Sequence, residues 1–362
     1  MDADQRREAL SGFKRYVVAH PNLVDTVATV NGSIMEPAGA AVTMLYGPTG
    51  VGKSTVVRAV MTEANRELMP ELAADPGKFG VIKLDAPAPT GGSFSWKQFF
   101  IKLLVALGEP IADARLERPG RAVGQRLRSG EEARSQAEQA LAQRRPKAVL
   151  IDEATHIANL VSGERLLNQL DLLKSLADST GTHFVLVGTY DLLAFRNLSG
   201  QLGRRTQDVH FQRYLPNEGD MGKFQTVVRS FGRALPVDAV DLTEHFEFLY
   251  ERSLGCVGML RDWLTRALNS ALALERPFLS ADLLRANALP MGALMAAAEE
   301  ISYGEAKLAD AERDQLRLRE LLGIAPSQGA AALEPAAPRL RAGVTGRVGT
   351  RQPSRDPVGV ET

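Results

Sequence analysis

Gly47-Pro48-Thr49-Gly50-Val51-Gly52-Lys53-Ser54, followed by Thr55, decides the fold of this chain. The stretch satisfies G-x-x-x-x-G-K-[ST] at every defined position, which is the phosphate-binding P-loop. Its flanks come in the order the physics needs. Ala41 to Tyr46 is a short apolar run that reads as a buried strand, and Thr55 to Val60 reads as the helix behind the loop. Glycines let backbone N–H groups turn inward around an anion, and the helix start adds partial positive charge. Lys53 is placed to reach the β- and γ-phosphates of ATP, and Ser54 to ligate Mg²⁺.

A second motif turns a nucleotide binder into a hydrolase. Ala148-Val149-Leu150-Ile151 is apolar throughout and runs into Asp152-Glu153. A strand buried in a parallel sheet between two helix layers has this composition. Its carboxyl end is where ligands sit in open α/β sheets. There Asp152 would hold Mg²⁺ through water, and Glu153 would polarise the attacking water.

Two further signals follow in order. Thr182 to Gly188 is another apolar strand, ending at Thr189, whose hydroxyl can orient water between the two strands. Leu202-Gly203-Arg204-Arg205 then precedes a strand expected over Asp208 to Tyr214. An arginine at that point suits a finger that reaches a neighbouring subunit's γ-phosphate. Either Arg204 or Arg205 can fill the role, and two plain surface arginines would look the same. Gly255-Cys256-Val257-Gly258 opens a helix containing Arg261, which can face the phosphates from a lid.

Composition sets bounds. The 362 residues include 43 Lys plus Arg against 43 Asp plus Glu, so no global basic charge advertises nucleic acid. The one cysteine, Cys256, has no intramolecular disulfide partner, and no Cys/His cluster suggests zinc. The amino terminus lacks an apolar signal core, and no apolar run reaches membrane-spanning length. A cytoplasmic protein with no membrane partner is expected.

The chain divides into five parts. Residues 1–38 are a polar, partly helical lead-in with Phe13, Tyr16 and Val17 at helical spacing, expected to pack on the core. In nucleotidases of this layout such a lead-in also lines the adenine. Residues 39–215 alternate strand and helix patterns, which implies a parallel sheet covered on both faces. Phe79 to Leu84 reads as its second strand, and Ser95 to Leu107 as a helix with an apolar face of Trp96, Phe99, Phe100, Leu103 and Leu104. Glu164 to Ala177 is a further helix with Leu166, Leu167, Leu170, Leu173 and Ala177 on one face. Residues 216–290 lack strand pattern and read as a helical lid, with Leu260, Leu264, Ala267, Leu268 and Ala271 as its stripe. Residues 291–325 read as one or two helices. Residues 326–362 have no aromatic residue and are rich in Ala, Gly, Pro and Arg, a composition expected to be a disordered tail.

Two segments are candidates for DNA contact. One is the small-residue loop after the second strand, with Thr90, followed by Lys97 and Lys102. The other runs from Arg115 to Arg145 and includes Arg121, Arg126 and Arg128. Phosphate contacts from such side chains would be sequence-independent and salt-sensitive. A solvated helix face explains the same arginines, and charge patterning alone favours it.

Together these residues resemble AAA+ ATPases of the initiator-like branch, over about residues 20–285. The segments that carry it are the P-loop, Leu150-Ile151-Asp152-Glu153-Ala154-Thr155-His156, the strand end at Thr189, Arg204-Arg205 and Gly255-x-x-Gly258-x-x-Arg261. Within that branch the chain is similar to the TnsC/TniB transposition regulators. Asp85 to Trp96 with Leu107-Gly108-Glu109-Pro110 carries this closer likeness, as does Val187 to Asp191 leading to Gln201 to Arg205. The resemblance implies an α/β AAA+ fold with a small helical lid. It implies an ATP-dependent oligomer, a hexamer- or heptamer-like ring or a helix, on duplex target DNA. Such an assembly links a TniQ- or TnsD-like target-selection protein to a transposase, and hydrolysis resets it. By motif, Lys53 and Ser54 would bind ATP and Mg²⁺, Asp152 and Glu153 coordinate and hydrolyse, and Thr189 act as first sensor. Many relatives have Asn at that position. Arg204 or Arg205 would be the finger and Arg261 the second sensor. A helicase loader or initiator of the same branch, and a signalling or secretion ATPase that never touches DNA, remain as alternatives.

Overall fold

The computed structural model describes residues 2–89, 93–109, 129–158, 164–196, 205–274, 277–309 and 317–324. Met1–Leu308 cluster as one compact unit. Beyond it, residues 317–324 begin with a helical turn.

Five parallel strands form the central sheet. They are β1 (Val42–Tyr46), β2 (Val81–Asp85), β3 (Ala148–Asp152), β4 (His183–Gly188) and β5 (Thr206–His210), in the order β2-β3-β4-β1-β5. Alternation along each strand sorts side chains between two layers. Met44, Ile82, Leu84, Val149, Ile151, Phe184 and Leu186 face a core closed by three helices. These are α5 (Trp96–Ala106), α6 (Gly130–Arg144) and α8 (Glu164–Thr180). Leu45, Val81, Leu150, Val185, Val187 and Val209 face the opposite core, closed by α2 (Pro21–Met35) and α3 (Lys53–Glu67). In α3, Val56, Val57 and Val60 are buried, each worth about 1.5–3 kcal/mol over exposure.

Shorter pieces complete this region. They are α4 (Met69–Ala74), α7 (Thr155–Ala158), a 3₁₀ turn at Tyr190–Leu192 and α9 (Leu193–Arg196).

The lid follows β5. It comprises α10 (Glu218–Ala234), α11 (Phe246–Ser253), α12 (Val257–Leu272) and α13 (Ala281–Ala286). The stripe of Leu260, Leu264, Ala267, Leu268 and Ala271 is buried as its spacing predicts. The lid is not purely helical, however. Asp238–Ala239 (β6) and Phe278–Leu279 (β7) pair as a small parallel ribbon, too short to leave a periodic pattern. The last long helix, α14 (Met291–Ala309), returns to the sheet, where Ile301 is buried in the α2–α3 core.

Two expectations shift. The strand expected over Asp208 to Tyr214 instead begins at Thr206 and ends at His210, because pairing with β1 sets its register from Val42↔Thr206. In the lead-in, α1 (Ala3–Arg15) buries Phe13 but ends before Tyr16 and Val17. Tyr16 is extended, Val17 follows outside any helix, and the two are 38% and 45% exposed, so the helical spacing does not carry them into the core.

Candidate functional site

Strand order assembles the site. β4 lies between β3 and β1, so Asp152, Thr189 and Gly47 emerge side by side at one edge of the sheet. A cleft there is lined by Thr49, Gly50, Gly52, Lys53, Ser54, Thr55, Glu153, Thr189, Gly258, Arg261 and Asp262. The residues expected from four distant segments thus share one cavity.

The loop is built to hold an anion. Gly52 precedes α3 in the left-handed region, at φ 115°, where a side chain would strain the backbone. No side chain caps the helix, so its first N–H groups stay available to a phosphate. Lys53 Nζ donates to the carbonyls of Gly47 and Pro48, both at 2.8 Å. Burial pulls its ammonium down to about 8. The cleft thus holds a poorly solvated cation beside open backbone donors, an arrangement that fits a polyphosphate.

The acidic pair is equally fixed. Asp152 is 7% exposed, and its Oδ1 accepts from Glu153 N–H at 3.1 Å. Glu153 is itself left-handed, at φ 55°, an unusual place for a side chain with a Cβ. This bend points the chain out of β3 and into the cleft wall. Ser54 and Asp152 supply hard oxygen donors, and the described residues hold no cluster of three or more His, Cys, Asp or Glu able to cage a metal. That donor set fits Mg²⁺, which keeps water and phosphate ligands and needs few from protein. Thr189 lines the cleft, and its hydroxyl donates to Asp191 Oδ2 at 3.1 Å.

The lid closes the cleft through backbone contact. Met259 N–H donates to Gly50 carbonyl at 2.8 Å. A Cβ at Gly258 would lie 2.4 Å from that same carbonyl oxygen, so only glycine permits the approach. Arg261 follows one turn later and reaches Thr55 Oγ1 at 3.4 Å while pairing with Asp262 at 3.1 Å. Cys256, at the start of this segment, is buried in the core, which pushes its thiol up to about 12. Beside this cleft runs a largely apolar slot lined by Val17, Val18, Leu23, Val51, Phe231 and Val257 together with Tyr16 and His20, with Gly52, Thr55, Gly258 and Arg261 shared between the two.

Other expected residues lie elsewhere. Arg205 is half-exposed, pairs with Asp178, and stands at the start of β5, the end of the sheet opposite the P-loop. It does not enter this chain's own cleft. Arg204, Thr90, Arg121, Arg126 and Arg128 lie outside the described residues, as do residues 325–362. Lys102 Nζ donates to the Asp85 carbonyl at 2.9 Å, and Lys97 is the second residue of the same helix, α5.

Three contacts escaped sequence reasoning. Lys83 on β2 pairs with Asp152 at 3.0 Å and with Asp85 at 2.9 Å. Glu300 on α14 accepts from the P-loop hydroxyl of Thr49 at 3.1 Å. Lys83 and Asp85 carried a usable signal, since residues two apart on a strand share a face. Glu300 carried none.

Residues 36–195 match the family model described as AAA domain. No curated protein matches the chain. Among solved structures, the Aeropyrum pernix ORC1 protein in complex with DNA is similar at 15% identity and a TM-score of 0.53. That match covers 78% of this chain and 68% of the other. The ADP form of the Aeropyrum pernix ORC2 protein gives 17% identity, TM-score 0.49, and coverage of 76% and 71%. At such identities the likeness to ORC1 speaks for the fold alone. Residues 36–195, the P-loop among them, thus match an AAA domain, and the chain shares its fold with ORC1.

Proposed function

We propose that this chain is an ATP-hydrolysing regulator of DNA transposition. In this reading it assembles on duplex target DNA and links a target-selection protein to a transposase. The observation that carries the reading is a division of the site. Lys53, Ser54, Asp152, Glu153, Thr189 and Arg261 belong to one cleft or its wall, while Arg205 stands at the far end of the sheet. Arg205 is too far from its own cleft to act there, so a finger at Arg205 or its neighbour Arg204 would complete a neighbour's site and tie turnover to assembly. The resemblance of Asp85 to Trp96 and of Val187 to Arg205 to TnsC/TniB regulators supports the transposition role.

The chain's residues divide the chemistry. Mg²⁺, when bound, would neutralise charge developing on the phosphates. The open N–H groups of the P-loop and Lys53 hold the phosphates. Ser54 and Asp152 would hold the metal and its water. Glu153 accepts a proton from the attacking water, and Thr189 orients that water. The slot between the lead-in and the lid takes the base.

An initiator-like or helicase-loading role is a second reading, favoured by the fold likeness to ORC1, which was solved with DNA. Negative-stain imaging with a non-hydrolysable ATP analogue separates these classes. Rings or helices that need both analogue and duplex DNA support the regulator. Discrete particles that load a helicase favour the second reading. Assembly indifferent to DNA points to an ATPase that does not bind it. Arg205→Ala together with Arg204→Ala should keep ATP binding and stop hydrolysis in the assembly. Loss of binding would place an arginine in its own site.

A further inference from the structure

Both oxygens of the Asp152 carboxylate are engaged. Oδ1 accepts from Glu153 N–H at 3.1 Å, and Oδ2 meets Lys83 Nζ at 3.0 Å. Lys83 also reaches Asp85 Oδ1 at 2.9 Å. Sheet register explains the triad. Asp85 lies directly beside Asp152, and Lys83 is two residues earlier on the same face of β2. The two carboxylates differ in setting. The Asp152 side chain is 9% exposed and that of Asp85 is 63% exposed. One ammonium therefore bridges a buried carboxylate and a solvated one.

An ammonium at this point has a direct consequence for a divalent cation. Asp152 is the carboxylate best placed to hold Mg²⁺ or its water, and a positive charge already sits on it. Like charges at this separation oppose each other strongly where water is partly excluded. Asp85 offers the ammonium a second resting place one strand away. Removing the lysine would leave Asp152 buried and free to attract a metal.

We propose that Lys83 is a built-in competitor of Mg²⁺ at Asp152: it positions that carboxylate and sets the metal affinity of the nucleotide site, with Asp85 as its alternative partner. This inference rests on the nucleotide-site reading above. Lys83 acts through Asp152 and is a positioning residue.

The test measures the dissociation constant of Mn²⁺ by electron paramagnetic resonance, with the protein in excess over a non-hydrolysable ATP analogue. Lys83→Met should tighten metal binding by about three- to tenfold, the electrostatic relief of one partly screened charge. Lys83→Arg, which keeps the charge, should stay within about twofold of the wild type. Asp85→Asn should weaken metal binding by about threefold, because the ammonium then rests on Asp152 alone. In the Lys83→Met background the same change should do almost nothing. Analogue affinity in EDTA checks that each variant still folds and binds. A Lys83→Met protein that keeps this affinity but binds metal no more tightly than the wild type overturns the inference alone. A wild type that binds no metal with the analogue overturns the nucleotide-site reading and the inference with it.

Discussion

Arg213, just after β5, and Glu305, on α14, form a two-point pair. Nε lies 2.7 Å from Oε1 and Nη2 lies 2.9 Å from Oε2. Such fork-on-fork geometry fixes direction as well as distance. Arg213 also donates to the Leu254 carbonyl at 3.3 Å, just ahead of the lid helix. One guanidinium thus ties the helix after the lid to the sheet edge and to the lid's root. With Glu300 on Thr49, α14 is held at two points along the nucleotide side of the sheet.

Arg213→Ala would leave Glu305 partly buried without its partner. We expect a loss of about 2 kcal/mol, below the full value for deeply buried pairs because both side chains retain some solvent. Hydrogen exchange should rise in residues 291–309 first. Uniform exchange across the chain, or none, would show that the pair does not anchor α14.

Gly258→Ala should separate lid from P-loop. The added Cβ meets a backbone oxygen at 2.4 Å, which no rotamer can relieve. Overpacking of this kind costs about 1–3 kcal/mol. Nucleotide affinity should fall by more than about tenfold, since Arg261 moves with the displaced turn. Calorimetric titration that finds unchanged affinity would free the lid from any role in binding.

Glu153 carries backbone strain and, in the proposed reading, the catalytic carboxylate. Its left-handed backbone costs of order 1 kcal/mol for a residue with a Cβ. Glu153→Gly should therefore raise stability by about that amount while abolishing turnover. Glu153→Gln should keep the strain, bind ATP and accumulate a persistent ATP-bound assembly. Denaturant melts and phosphate release measure the two effects separately. Rapid turnover by either variant removes Glu153 from the chemistry.

Two buried histidines, His20 and His183, and the half-buried His210 give the fold an acid limit. His20 lies 3.0 Å from Tyr214 Oη, His183 lies 2.8 Å from Thr43 Oγ1, and His210 lies 3.0 Å from Tyr190 Oη. Burial pulls each down to about 4 from the ordinary 6.5. The unfolded chain takes up these protons near 6.5, while the folded chain resists until about 4. Stability present above pH 6.5 is therefore lost as pH falls toward 4, by about 1 kcal/mol per pH unit for each histidine. His183→Gln should flatten the slope of stability between those limits. A slope unchanged by that substitution would contradict the burial effect.

Legibility in the sequence followed locality. β1, the P-loop and the start of α3 are contiguous, so spacing alone placed them. The apolar runs of β3 and β4 announced strands buried on both faces, and Asp152 and Thr189 came with them. The helical rhythm through Phe13 misled at Tyr16 and Val17, because periodicity does not mark where a helix stops. The two-residue strands β6 and β7 were too short for any pattern. Lys83 on Asp152 and Glu300 on Thr49 depend on which strands neighbour each other and where the last helix docks. Side-chain spacing within one segment does not encode that.

Cys256 has a practical consequence. It is the chain's only cysteine, it is buried, and its thiol is held at about 12. Thiol reagents attack the thiolate, so the native protein should react with them only slowly. One cysteine placed at an exposed position such as Val105 or Tyr303 would carry a fluorophore or spin label alone. With cysteines at both positions, paired labels could follow α14 against α5 as nucleotide is added.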